Sequence, residues 1–508
     1  MLARKLWLQR IALPTDSMAV RLHYGALTVI CAVGAWLRLT ALNRQSLWFD
    51  EIDVVVRAQQ PLTIVFRTFV REGENGPLYN LLLALWVRLA GVSEIAVRFP
   101  SAVVGVLTIP LLYVLARSMG GSSAGLYAAG LLAISPYHIW YSQEAKMYAL
   151  LIFLAVASTL ALSQALAQNT RYWWVAYVVV TSLMFYTHVV SVLVFAAHAL
   201  YGLLSFTRWP GRLRPWSIAA LALTLPYLPI ALWAMRVVGG EVTTWQPDVS
   251  LWQALRISAV KFAVNRADSQ LETRAALLYT VLACLGILAF ARRRSGSRTW
   301  LLLLLWSSVP VVGLWLVSLR QSVFSDRYAS TALPALLILV AAALVLLVRS
   351  HRLWPAGAVA LFLVVSFAWV PVRDVNRASS AEKEDWRSAW ADVAARAEKG
   401  DGFIVHPGYL ITTRDYFVQR EPRLAQFRAA TIPTFRVGWL DEDLMVHMLA
   451  TQLQGLQRVW LIQSPDRVPA EDPHGMLEAW LRSTGPPLYE HEFNGVRVSL
   501  YRLPPLPP

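Results

Sequence analysis

Long apolar runs recur along the chain, and in a bilayer a run of roughly 20 apolar residues makes one crossing. They fall near 22–42, 98–117, 121–140, 145–167, 172–187, 189–206, 216–236, 275–291, 299–319, 328–348 and 353–371. Only 15% of the 508 residues are charged and 56% are hydrophobic, whereas a water-soluble domain carries about 25% charged residues. The pattern predicts a polytopic α-helical membrane protein with one transmembrane helix per run, eleven in all. The first run follows Arg4, Lys5 and Arg10 and is longer than a secretory h-region, so it reads as a retained signal anchor.

Orientation follows from the basic clusters. Arg117, Arg171, Arg208, Arg212, Arg214, Arg292, Arg293, Arg294, Arg298, Arg349 and Arg352 all sit between apolar runs. They share the cytoplasmic side if the N-terminus is cytoplasmic and Pro77–Ala90 does not cross, which satisfies the positive-inside bias. Pro77–Ala90 has 14 residues, short for a crossing, and is expected to lie at the outer surface. The stretch Ile52–Val70 mixes apolar residues with Arg57, Gln59 and Arg67, as an interfacial helix would. Residues 43–97, 141–146, 237–274 and Leu319–Asp326 are then outside, with everything after about 372.

Two domains are expected: a transmembrane domain over 1–371, with juxtamembrane helices in its outer loop 43–97, and an extracytoplasmic domain over 372–508. Asp385–Glu398 has helical spacing. Phe403–Val405, Val459–Ile462 and Val496–Tyr501 read as strands, alternating with helical runs near 441–455 and 473–484, which suggests a small α/β domain. There is no repeat and no P-loop, and the Pro-rich Leu503–Pro508 reads as an extended tail.

The net charge of +15 does not point to nucleic acid. Most of the excess arginine lies in short loops between apolar runs, as expected beside anionic lipid. Cys31 and Cys284 both lie inside apolar runs and make neither a disulfide framework nor a zinc site.

Chemistry concentrates at a few outer helix ends. Asp50 and Glu51 follow the first run in Trp48-Phe49-Asp50-Glu51; the bland alternative is an acidic first turn favoured by the helix dipole. Ser135 to Tyr148 joins two runs and carries Gln143, Glu144 and Lys146. Ionisable groups between spans are functional candidates, although Glu144 and Lys146, two apart, would not face each other on a helix. Arg327, in Ser325-Asp326-Arg327-Tyr328, opens a span on the outer side. It either snorkels or grips an anion through its planar guanidinium. His188 lies at another outer helix end, where a packed histidine is commoner than a ligand.

On this topology the carboxylates and cations converge at one face of the bundle. A carboxylate there can take a proton from an acceptor hydroxyl, a cation can stabilise a departing phosphate, and the bilayer can deliver a lipid-tailed substrate. Those are the requirements of a transferase using a lipid-phosphate-linked sugar.

The motifs resemble the GT-C superfamily of membrane glycosyltransferases, and more closely the family of protein O-mannosyltransferases and bacterial lipid A aminoarabinose transferases. The strings are Leu47-Trp48-Phe49-Asp50-Glu51, Asn75-Gly76-Pro77-Leu78-Tyr79, Arg98-Phe99-Pro100-Ser101, Ser135-Pro136-Tyr137-His138 through Gln143-Glu144-Ala145-Lys146-Met147-Tyr148-Ala149-Leu150, and Asp326-Arg327-Tyr328. The likeness is dense over 45–165 and thin beyond. It implies a polyprenyl-phosphate sugar donor, Asp50 as general base supported by Glu51 and Glu144, and donor phosphate near Lys146, Arg327 and Tyr148. Asn75, Gln143 and His188 are further site candidates. Related sequences often carry His-Pro-Pro where this chain has Asn75-Gly76-Pro77, and Arg in place of Lys146, which keeps the charge but loses the bidentate fork.

The expected reaction is one in-line displacement, which inverts the anomeric centre, at the outer face of the cytoplasmic membrane. The acceptor is a hydroxyl on a glycan, lipid or protein. A divalent metal cation would suit the carboxylates, but no spacing specifies one. The rival reading is a lipid-linked-sugar transporter or flippase, which needs charged or broken spans near mid-bilayer; the runs here are nearly charge-free. A catalytically silent scaffold would have the same fold.

Overall fold

A computed structural model describes residues 17–67, 76–208, 211–227, 247–292, 298–375, 383–431, 442–483 and 485–503. Among these, eight helices are long and apolar enough to cross a membrane: Val20–Leu39, Glu94–Gly120, Tyr148–Gln168, Val189–Arg208, Ser269–Ala291, Thr299–Ser318, Ser330–Arg349 and Trp354–Arg373. The other three expected runs have identifiable limits. Run 121–140 divides at Pro136 into Ser122–Ile134 and Pro136–Ser142. Arg171–Phe185 has 15 residues, about 22 Å of helix at 1.5 Å per residue. Run 216–236 is described only as far as residue 227.

The chain forms two compact units, one of 1–42, 62–83 and 98–377, the other of 43–61, 84–97 and 378–508. In the first, Tyr148–Gln168 and Ser330–Arg349 are the central helices, each 83% buried within its most apolar window, against 11% for Val20–Leu39. Small residues allow close packing there. A Cβ on Gly286 would lie 2.1 Å from the Leu339 carbonyl oxygen, so only glycine lets Ser269–Ala291 approach Leu333–Arg349 this closely.

The second unit is built on a five-stranded sheet of order β2-β1-β3-β5-β4. Its strands are β1 (Asp401–His406), β2 (Arg428–Thr431), β3 (Arg458–Gln463), β4 (Tyr489–Phe493) and β5 (Val496–Arg502). β1 pairs in parallel with β2 and β3, while β5 runs antiparallel to β3 and β4. β1 is buried throughout, as parallel strands covered on both faces are. One face packs Ile404, Val459, Leu461 and Tyr501 on Leu449, Leu453, Leu477 and Leu481.

Two segments from the region 43–97 belong to this unit. Phe49–Gln59 is a helix that buries Ile52, Val55 and Ala58 and packs on Ile411–Phe417. The apolar face of Ile52–Val70, expected in the headgroup region, is therefore covered by protein over its first half, and the helix stops before Pro61, which cannot donate to a continuing turn. Segment 84–97 is held by Arg420, which reaches Glu94 at 2.6 Å, and by the Tyr416 hydroxyl, which donates to the Val92 carbonyl at 2.8 Å.

Candidate active site

In the membrane unit the polar residues are organised by a helix break. Pro136 lacks an N–H and cannot extend Ser122–Ile134. It sits instead in the first turn of Pro136–Ser142, where a missing donor is harmless, and the Ser135 hydroxyl accepts the His138 amide at 3.4 Å. The fully buried Arg38 donates to the Leu132 carbonyl (2.7 Å), the Ala133 carbonyl (2.9 Å) and Nδ1 of His138 (2.9 Å). One guanidinium thus adds donors to carbonyls of the last turn before the break, that of Leu132 also accepting the Ser135 amide at 3.3 Å. Gln143 acts likewise on the first span, donating to the carbonyls of Leu37 (2.9 Å) and Thr40 (3.0 Å).

The rotation set by that break aims Tyr137 and Tyr141 at Asp326. The Tyr137 hydroxyl donates to its carbonyl at 2.9 Å and the Tyr141 hydroxyl to its carboxylate at 3.2 Å. Ring contacts continue the connection: Tyr141 to Tyr148 edge-on at 5.2 Å, then tilted pairs of Tyr148 with His188 at 6.1 Å and His188 with Tyr328 at 5.1 Å between ring centroids. Burial, and then the charges of Asp326 and Glu144, push the Tyr141 phenol well above its ordinary range. Glu144 is 2% exposed, so this carboxylate sits within the protein.

His188 is fixed in one tautomer. Its Nδ1 accepts the Val190 amide at 3.2 Å, so Nε2 carries the hydrogen. Among the described residues Nε2 has no hydrogen-bond partner. Burial, then the neighbouring Arg327 and Lys146 charges, push this imidazole down to about 3. The result is a neutral N–H donor beside two cations.

Other strings brace this group. Tyr79 and Ser101 share a hydroxyl hydrogen bond of 2.9 Å, and Ser101 donates to the Lys146 carbonyl at 3.2 Å. The Leu78 amide donates to the Tyr186 carbonyl at 2.9 Å, and a Cβ on Gly76 would lie 2.1 Å from that oxygen. Glycine before Pro77 is therefore a steric requirement of the approach to the 186–188 turn. Asn75 lies outside the described residues.

The acidic motif belongs to the second unit. Asp50 and Glu51 occupy the first turn of Phe49–Gln59, and Trp48 supplies no side-chain cap. The cap comes from far along the chain: Glu384 accepts the Phe49 amide at 3.0 Å, the Trp386 indole at 2.7 Å and the Arg467 guanidinium at 2.8 Å. Glu51 is fully buried, 3.3 Å from the ammonium of Lys383, which is itself largely buried. Asp50 is half-buried. Burial opposes the charge on Arg467, but the Glu384 and Asp50 carboxylates prevail and raise it above its ordinary value.

The structure thus brings Glu144, Lys146, Tyr148, His188 and Arg327 together in one unit, and sets Asp50 and Glu51 among Lys383, Glu384 and Arg467 in the other. Sequence reasoning missed Arg38, Tyr137, Tyr141 and Asp326 as bracing residues, although all but Arg38 lie within the quoted strings. It had no signal for Lys383, Glu384 or Arg467, which lie over 300 residues from the helix they hold. Among the described residues no three His, Cys, Asp or Glu side chains gather so as to hold a metal ion.

By sequence the chain matches no curated protein. Residues 74–233 match the family described as dolichyl-phosphate-mannose-protein mannosyltransferase. In structure the chain is similar to ArnT from Cupriavidus metallidurans bound to undecaprenyl phosphate, with TM-score 0.57 and 14% identity over 94% of this chain and 98% of that one. It is also similar to the Archaeoglobus fulgidus oligosaccharyltransferase tethered to an acceptor peptide, with TM-score 0.54 and 11% identity over 87% of this chain and 69% of that one. The same archaeal enzyme with an inhibitory peptide and a dolichol-phosphate gives 0.52 and 11%, over 88% and 70%.

Proposed function

We propose that this chain, which has the GT-C glycosyltransferase fold shared with those structures, moves a sugar from a polyprenyl-phosphate carrier to a hydroxyl acceptor. The observation that carries the reading is the group around His188. Lys146 and Arg327 supply positive charge there and Nε2 supplies a neutral N–H. Two cations and an oriented donor match a phosphate that gains charge as its bond to the sugar breaks. A solved neighbour bound to undecaprenyl phosphate and another with dolichol-phosphate support that donor class.

The resemblance of the motif strings supplies the general base, and with it the mechanism. Asp50 takes the proton of the acceptor hydroxyl as its oxygen attacks the anomeric carbon. The bond from that carbon to the phosphate oxygen breaks, and the polyprenyl phosphate leaves with both bonding electrons. Lys146, Arg327 and His188 meet the charge it carries away, and one displacement inverts the configuration. Glu144 remains a carboxylate candidate for acceptor or sugar hydroxyls. The described residues show no metal-ligand cluster, and no step is assigned to a metal. The site and C-terminal domain lie outside the cytoplasmic membrane on this reading, as the arginine clusters predict. The sugar is a mannose-like hexose or a pentose, and the acceptor a glycan, a lipid or a protein.

The test uses radiolabelled undecaprenyl-phosphate mannose and undecaprenyl-phosphate arabinose, with membranes from a strain lacking the gene as acceptor source. Asp50→Asn should abolish transfer while leaving expression and undecaprenyl-phosphate binding intact. Wild-type transfer by that variant refutes the role of Asp50. Labelling single cysteines at 50 and 144 from opposite sides of the membrane would refute the topology.

A further inference from the structure

The polar groups outside the phosphate cradle that bear on the reaction are those surrounding the acidic motif. Glu51 is fully buried, and its carboxylate meets the Lys383 ammonium at 3.3 Å. A buried charge without its counter-ion is strongly destabilising, so each of the two depends on the other. The adjacent Glu384 caps the same helix at the Phe49 amide. The cap and the counter-ion thus come from consecutive residues of the C-terminal segment. That segment is also tied down at the motif's approach. The Lys383 amide donates to the Gln45 side chain at 3.2 Å, and the Arg387 amide donates to the Ser46 hydroxyl at 3.1 Å. The Arg387 guanidinium donates to the carbonyls of Asn43 and Arg44 at 3.1 and 3.3 Å. Arg467 completes the frame, bonding Glu384 and stacking its guanidinium 5.1 Å from the Phe49 ring.

The two carboxylates of the motif therefore have different surroundings. Glu51 points into the protein against a lysine, while Asp50, one residue on, is half-buried. Successive residues of a helix are rotated by about 100°, so a well-placed Glu51 determines where Asp50 points.

We infer that Glu51 is not a reacting group but an anchor, and that Lys383 and Glu384 of the C-terminal domain are positioning residues that orient Asp50 for the transfer reaction. This rests on the polyprenyl-phosphate transferase reading above. The C-terminal domain is on this account part of the catalytic apparatus, whatever it contributes to acceptor choice.

The experiment measures transfer by the full-length protein from the same two radiolabelled donors, across variants of the pair. Lys383→Met leaves the Glu51 charge buried and should lower kcat about 100-fold, the scale of a misplacement of roughly 1 Å, with little change in donor KM. Lys383→Arg should recover most of the rate. Glu51→Gln with Lys383→Met removes both charges and should recover well above either single variant, with the acid limb of the pH–rate profile unchanged because Asp50 still supplies it. Size-exclusion profiles of each variant separate misfolding from misplacement. A Lys383→Met protein with wild-type kcat overturns the inference. So does a double variant as inactive as Glu51→Gln alone, because the Glu51 charge would then serve the reaction itself. If the wild-type protein uses neither donor, the transferase reading fails first and the inference falls with it; an active wild type with an indifferent Lys383 sinks the inference alone.

Discussion

The Tyr141 hydroxyl donates to the Asp326 carboxylate at 3.2 Å, joining two segments separated by 185 residues. Asp326 immediately precedes Arg327, so this bond sets where one of the two cations of the proposed phosphate cradle stands. Tyr141→Phe keeps the ring and removes the donor. A hydrogen bond to a charged group contributes about 1.5–3 kcal/mol, and a loss at the lower end corresponds to roughly tenfold. Donor affinity should fall by about that factor, measured as undecaprenyl-phosphate binding. An unchanged affinity would detach Tyr141 from the cradle.

His188 should stay neutral through physiological pH. Its folded pKa of about 3 lies below the ordinary 6.5. Below pH 6.5 the unfolded chain binds a proton that the folded one refuses, so the His188 contribution to stability is complete above 6.5 and is lost as pH falls toward 3. His188→Gln cannot titrate. It should show a flatter decline of melting temperature between pH 6.5 and 4 than the wild type, and a pH–rate profile of the same shape between pH 6.5 and 8. A wild-type kinetic limb near 6.5 that vanishes in His188→Gln would contradict a neutral imidazole.

Gly286 tests the packing of the membrane unit. Its missing Cβ would lie 2.1 Å from the Leu339 backbone oxygen, which has no flexible end to move aside. Gly286→Ala should cost about 1–3 kcal/mol, the range of overpacked cores, read as a lower midpoint of thermal unfolding in detergent. Gly25 has nothing within 4 Å of its Cβ position, and Gly25→Ala should leave the midpoint unchanged or raise it.

Asp401 gives the C-terminal domain an acid limit. It accepts two bonds from Arg458 at 2.8 and 2.9 Å, one from the Trp460 indole at 3.1 Å and one from the Glu398 amide at 2.9 Å. Burial opposes ionisation, but Arg458, the Glu398 amide and the Trp460 indole together hold this carboxyl below its ordinary value. Its contribution is therefore present above an unfolded pKa of about 3.9 and is lost as pH falls below it. Asp401→Asn should lower the melting temperature at pH 7 and narrow the gap to wild type below pH 4. A gap that is constant with pH would assign the stability to shape alone.

Hydropathy is a sum over neighbours in sequence, so the spans were legible without coordinates, and so were the strands Phe403–Val405, Val459–Ile462 and Val496–Tyr501, which lie within buried β1, β3 and β5. The four-residue β2, with no large apolar side chain, and the largely exposed, mostly polar β4 left no such signal. The motif strings were legible as well, since resemblance is also read along the chain. Tertiary structure alone decided that Lys383 and Glu384 hold a helix more than 330 residues upstream and that Arg38 donates to carbonyls before Pro136. It also decided which nitrogen of His188 carries the proton. Each of these depends on which donor meets which acceptor across the fold, a relation that no local pattern of residues encodes.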